Sequence, residues 1–155
     1  GRLVINSVTG NLVITGAEQG YNKNLTTSDT SVIYTFDGMT FEEFLATEFN
    51  FKNDSGKTIS RIEAKVTAMC VKTGGSTGSQ YIALYYNYNN KDTKIGNNAT
   101  LYATSNTETA STGSAYGNVS IADQGNFFLH FTRVNVSNII TVNSVTQLEV
   151  KFTYK

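Results

Sequence analysis

The feature that most constrains this chain is a two-residue rhythm. From Thr58 to Thr73, small and apolar side chains fall on every second position, at Ile62, Ala64, Val66, Ala68 and Cys70, while Arg61, Glu63, Lys65 and Thr67 fill the places between. Successive side chains of an extended strand point to opposite faces, so such a segment is a β-strand with one face in a core and the other in water. The rhythm returns at the end of the chain, where Leu148, Val150, Phe152 and Tyr154 alternate with Glu149, Lys151 and Thr153. A helix would spread both patterns around its circumference.

Weaker runs of the same kind, rich in Val, Ile, Thr, Tyr and Phe, lie at Val32 to Phe36, Tyr81 to Tyr88, Thr100 to Ala103, Ser114 to Ile121, Asn126 to Val136 and Ile139 to Val142. Asn, Gly, Ser and Thr separate them, supplying turn chemistry. At 155 residues the chain fits one domain with its own core. The expected fold is all-β, an antiparallel β-sandwich of jelly-roll-like kind, with one short helix and an N-terminal hairpin.

The hairpin is read from Leu3-Val4-Ile5 and Leu12-Val13-Ile14 around a Gly/Asn-bearing turn. Residues 1–17 are expected to end a preceding β module or form a linker hairpin, and residues 25–155 to form the sandwich. Ala17 to Asp29 is polar and aperiodic and reads as the connection between them. Beginning at Gly1 with an immediate strand, the chain looks like a segment of a longer polypeptide, and its close at Lys155 reads as a terminus. The helix is predicted over Phe41 to Glu48. Thr40-Phe41-Glu42-Glu43 forms a capping box, Met39 and Phe44 hold the staple positions, and Phe41, Phe44, Leu45 and Phe49 recur at helical spacing. Asp37-Gly38 is expected to end the strand before it.

Balanced charge, with 12 basic and 12 acidic residues, gives no pull toward nucleic acid or anionic membrane. No apolar run approaches the roughly 18 residues of a membrane span, so no membrane insertion is expected. The single cysteine, Cys70, sits in an apolar run and reads as a buried thiol rather than a nucleophile. The single histidine, His130, shares a strand face with Phe128 and Thr132 and is placed as a structural or surface residue. With one histidine and no nucleophile elbow, a hydrolytic triad is not supported. Glycoside hydrolysis needs only two carboxylates. Glu43, however, is used by the cap, and Glu63 and Glu149 lie on solvated faces.

Gly74-Gly75-Ser76-Thr77-Gly78 lacks the ending and following helix of a phosphate loop and reads as a strand connection. Oxygen donors are plentiful, but no calcium-loop spacing occurs, so neither metal nor cofactor is expected. Acceptor triplets for N-glycosylation start at Asn24, Asn53, Asn98, Asn118 and Asn135, as chance produces in an Asn/Ser/Thr-rich chain.

The most suggestive stretch is Tyr85-Tyr86-Asn87-Tyr88-Asn89-Asn90, joined by Tyr102 and Tyr116. Tyrosine combines a rigid apolar face with a polar tip and asparagine adds a donor and an acceptor, a set suited to stacking on sugars or filling an interface. The ligand-binding candidates are therefore Tyr85, Tyr86, Asn87, Tyr88, Asn89, Tyr102 and Tyr116, with Tyr86 and Tyr88 expected to share one strand face and, if that face binds, to be at least partly exposed. That these tyrosines only pack a sheet edge stays open.

The phrase Val8-Thr9-Gly10-Asn11-Leu12-Val13-Ile14-Thr15-Gly16-Ala17 resembles the closing hairpin of small β repeats in tailed-phage structural proteins. The resemblance implies a C-terminal β-rich domain of a tail, baseplate or head-fibre protein, exposed on the virion surface. It implies attachment to cell-wall polysaccharide or a surface receptor, and assembly as a homotrimer or against another virion protein. Two functions thus compete, a non-enzymatic carbohydrate- or receptor-binding domain and an assembly or decoration domain that binds no sugar.

Overall fold

A computed structural model of the chain describes residues 21–75, 77–135 and 139–155. The expected N-terminal hairpin lies outside the described residues. In chain order the strands are β1 (Tyr21–Leu25), β2 (Ser31–Met39), β3 (Phe49–Asn53), β4 (Ile59–Lys72), β5 (Gly78–Tyr88), β6 (Lys91–Lys94), β7 (Ala99–Ala103), β8 (Thr109–Ile121), β9 (Asn126–Arg133) and β10 (Ile140–Tyr154), with helix α1 (Phe41–Leu45) between β2 and β3. They form two layers, a six-stranded sheet ordered β1-β3-β9-β5-β6 with β7 also on β5, and a four-stranded sheet ordered β2-β10-β4-β8. The fold is an all-β sandwich. Its pairings are antiparallel apart from β1 with β3, which run parallel.

The two-residue rhythm lands where its chemistry requires. Ile62, Ala64, Val66, Ala68 and Cys70 of β4 and Leu148 and Val150 of β10 are fully buried between the layers. Facing them from the other sheet are Phe49, Phe51, Phe127, Leu129, Phe131 and Leu84. The rings interlock, with Phe44 and Phe131 centroids 4.7 Å apart and Phe51 set 5.2 Å from Phe152. The Cys70 thiol is buried, and loss of water, with Glu108 adding to it, pushes its pKa up to about 11.

Helix α1 begins as read. Glu43 N–H donates to Thr40 Oγ1 at 3.0 Å and Thr40 N–H donates to Glu43 Oε1 at 2.9 Å, which closes the capping box. It stops at Leu45 rather than Glu48, because Phe49 must enter β3 as a core residue. Several other boundaries are corrected. Ala17 to Asp29 is not wholly a connector, since Tyr21–Leu25 is a sheet strand and Leu25 and Asp29 are fully buried. Asp37-Gly38 does not end β2. Gly38, at φ 74°, lets the strand bulge and continue to buried Met39. The two C-terminal runs form one strand, β10, whose break is absorbed by register shifts between Val142 and Ser144 and between Val145 and Gln147. The Ser/Thr-rich stretch Thr104 to Ser114, whose composition suggests one exposed loop, belongs to β8 from Thr109 onward.

One side of the sandwich is closed by β7 lying against β8. A Cβ on Gly113 would come within 2.5 Å of the Thr100 carbonyl oxygen, so only glycine permits that approach. Asn97 bridges the same seam, accepting from Tyr116 N–H at 3.1 Å and donating to Ser114 O at 3.0 Å. Asn53 fixes the opposite end. It is fully buried, and its amide donates to Lys57 O at 2.7 Å and Ile121 O at 3.0 Å. That triplet therefore cannot accept a glycan in the folded chain.

Candidate functional site

Alternation that sends phenylalanines inward on β3 and β9 sends a different set outward. Strand register aligns that set across the outer face of the six-stranded sheet. Asn22 of β1 stands opposite Asn50 of β3, Asn50 opposite Phe128 of β9, Phe128 opposite Asn87 of β5, and Asn87 opposite Asp92 of β6. At about 4.8 Å per strand, this transverse row is roughly 19 Å long. A second row on the turn side carries Asn24, Lys52 and Asn126. A third, toward the helix, carries His130, Tyr85 and Lys94.

Hollows lie on both sides of Phe128 and Asn87. The larger, about 650 Å³, is floored by Phe128 and walled by amides of β1, β3 and β9 together with Asn89, Asn90 and Gln124. Its charged lining is Lys23 and Lys52, and no carboxylate lines it. The smaller, about 320 Å³, runs between Phe128 and His130 on one side and the Leu45 to Glu48 segment that follows α1 on the other. Together they form a shallow trough with an aromatic saddle.

The saddle is held in place from below and from the side. His130 Nε2 lies 2.9 Å from both carboxylate oxygens of Asp92, and its ring stacks on Tyr85 at 5.5 Å and 20°. Phe128 sits against His130 at 5.7 Å. Asn87 Nδ2 reaches Asp92 Oδ1 at 3.4 Å. The Asn89-Asn90 corner has φ of 55° and 61°, the paired positive values of a two-residue hairpin turn that asparagine tolerates.

The sequence-derived candidates are divided by this geometry. Tyr85 and Asn87 lie on the trough face, at its helix-side row and its saddle. Tyr86 and Tyr88 share one strand face, as expected, and are partly exposed, but that face is the one turned to the core. They face inward and pack partly buried against the core, and Tyr88 reaches the trough at its edge while its hydroxyl accepts from Ala122 N–H at 3.3 Å. Asn89 enters as a turn residue that also lines the larger hollow. Tyr102 is exposed, but it pairs with Ser79 at the far end of β5, and Tyr116 belongs to the other sheet altogether. Phe128 was missed as a site residue. Its signal was the Phe127-Phe128 doublet, which must send one ring out of the core.

Chemically, the trough offers an apolar ring face surrounded by primary amides, each able to donate and accept. Among the described residues no group of three or more His, Cys, Asp and Glu side chains gathers to hold a metal ion.

No family model matches the chain, and no curated protein matches it in sequence. Solved structures resemble it loosely. A β-glucosidase from Paenibacillus barengoltzii aligns over 95% of this chain at 15% identity and TM-score 0.43, and the chain spans only 13% of that enzyme's length. The CBM22-1 xylan-binding domain from Paenibacillus barcinonensis Xyn10C aligns over 98% of this chain and 82% of its own at 11% identity and TM-score 0.34. Eiger TNF from S. frugiperda aligns over 99% and 94% at 6% identity and TM-score 0.39.

Proposed function

We propose that this domain is a non-enzymatic glycan-binding module whose trough on the outer face of the six-stranded sheet seats a polysaccharide chain. The observation that carries this reading is the row Asn22-Asn50-Phe128-Asn87, in which a ring is flanked across the strands by amides. A sugar presents an apolar C–H face edged by hydroxyls. The ring suits the first and the amides suit the second. The larger hollow holds no carboxylate, and Asp92 of the smaller one is engaged by His130, which favours binding over bond cleavage.

The finer reading is attachment of a tailed-phage virion to host cell-wall polysaccharide. The Val8 to Ala17 phrase supports it. Titration with purified cell-wall polysaccharide and with neutral glucan oligomers tests the binding. Phe128→Ala is expected to weaken binding about tenfold or more while leaving the melting transition within a few degrees. Full binding by both Phe128→Ala and Asn87→Ala would overturn the reading. The virion setting is tested separately, by mass spectrometry of purified phage particles.

A further inference from the structure

Tyr116, separated from the other tyrosines, has a surface of its own. It is 44% exposed on β8, and the guanidinium carbon of Arg61 on β4 sits over its ring, 4.8 Å from the centroid. No carboxylate among the described residues pairs with Arg61. Register places Arg61 between Asn118 of β8 and Thr153 of β10, in a row across the outer face of the four-stranded sheet. Beside this row lies a hollow of about 710 Å³ whose polar lining is Arg61, Asn118 and the hydroxyls of Thr58, Ser60, Ser120 and Thr153, with Lys155 at its rim. No acidic residue lines it.

The geometry points to a second saccharide site here, for a sugar bearing a carboxylate. A guanidinium seated over an aromatic face has its charge balanced by the ring rather than by a carboxylate, which leaves N–H groups to offer a ligand. That planar fork matches a carboxylate with two parallel hydrogen bonds. The surrounding hydroxyls and the Asn118 amide match the hydroxyls of the same sugar ring. Glu63 stands next along the same face of β4, opposite Tyr116 and Lys151. It tempers the positive potential, so the site suits one negative charge rather than a phosphate dianion. The two sites lie on opposite sheets, and this one does not depend on the trough.

The test is titration with a short oligogalacturonate, its methyl ester and a neutral galactose oligomer, followed by amide NMR shifts and calorimetry. The free acid is expected to shift amides around Arg61, Asn118 and Thr153, more weakly as salt rises. The ester and the neutral oligomer should not. Arg61→Lys keeps the charge and loses the fork, so affinity should fall about fivefold or more. Asn118→Ala, at an exposed position, should weaken binding without altering the melt, and Phe128→Ala should change nothing at this site. Absence of shifts at millimolar acid, equal binding of the ester, undiminished affinity in both Arg61→Lys and Asn118→Ala, or shifts confined to the trough would each overturn the inference. Shifts confined to the trough would count for the Phe128 site while overturning this one, and the other outcomes leave the Phe128 reading untouched.

Discussion

Tyr85 and Tyr86 are neighbours of one residue type with opposite roles. Tyr85 points out of the six-stranded sheet and stacks on His130, whereas Tyr86 points in and packs against the core. Truncation separates them. Tyr86→Ala is expected to cost about 2 kcal/mol of stability, less than a fully buried ring because Tyr86 is only half-buried. Tyr85→Ala should leave denaturant midpoints nearly unchanged and weaken glycan binding, since it removes the ring that steadies His130 beside Phe128. Reversed outcomes in paired melts and titrations would mean that the face assignment of β5 is wrong. The same strand shows how much of the site the sequence held. The clustering of tyrosine and asparagine named Tyr85 and Asn87, but their partners Asn22, Asn50 and Phe128 come from β1, β3 and β9, joined only by register.

At the level of elements, α1 depends on its cap more than on its length. A helix of five residues has almost no propagation to stabilise it, so the reciprocal Thr40 and Glu43 bonds supply a large share of its local order. Thr40→Ala is expected to cost about 1 kcal/mol in denaturant melts, and no cost would mean that core packing of Phe41 and Phe44 alone holds the turn. The β5-β6 corner is the other local device. Asn90→Gly should be neutral or slightly stabilising, and Asn90→Val should cost about 1 kcal/mol or more, because a β-branched residue resists a φ of 61°. Long central strands were legible in the sequence, whereas β1, β3 and β6 were not. β6 buries nothing, β1 brackets three polar residues with Tyr21 and Leu25, and Phe49 of β3 follows α1 at a spacing that also suits a helix. β1 and β6, at the sheet edges, hold too few buried positions to display a period, whereas β3 has a clear one that the helical spacing before it concealed.

The whole molecule keeps two weak acids neutral by burial, and this sets its behaviour in alkali. Burial, assisted by Glu108, lifts Cys70 from the ordinary 9.0 to about 11. Tyr154, whose hydroxyl donates to Asp29 O at 2.9 Å, is lifted further above its ordinary 10.0 by burial and by the nearby Asp29 carboxylate. Below pH 9 both groups are protonated whether the chain is folded or unfolded, so their contribution to stability is fully present. Above that the unfolded chain releases protons the folded chain retains, and stability must fall as pH rises. The decline should begin near pH 9 with the thiol, steepen above 10 as the phenol joins it, and lose the thiol's share of the slope beyond about 11. Cys70→Ala should flatten the portion between 9 and 11, and Tyr154→Phe the portion above 10. Each variant will be less stable at neutral pH, through a small cavity in one case and a lost hydrogen bond in the other. The measurement is therefore the slope of melting temperature against pH rather than its height. An alkaline limb that keeps its full slope in the double variant would assign the decline to other groups and leave these two buried acids as bystanders.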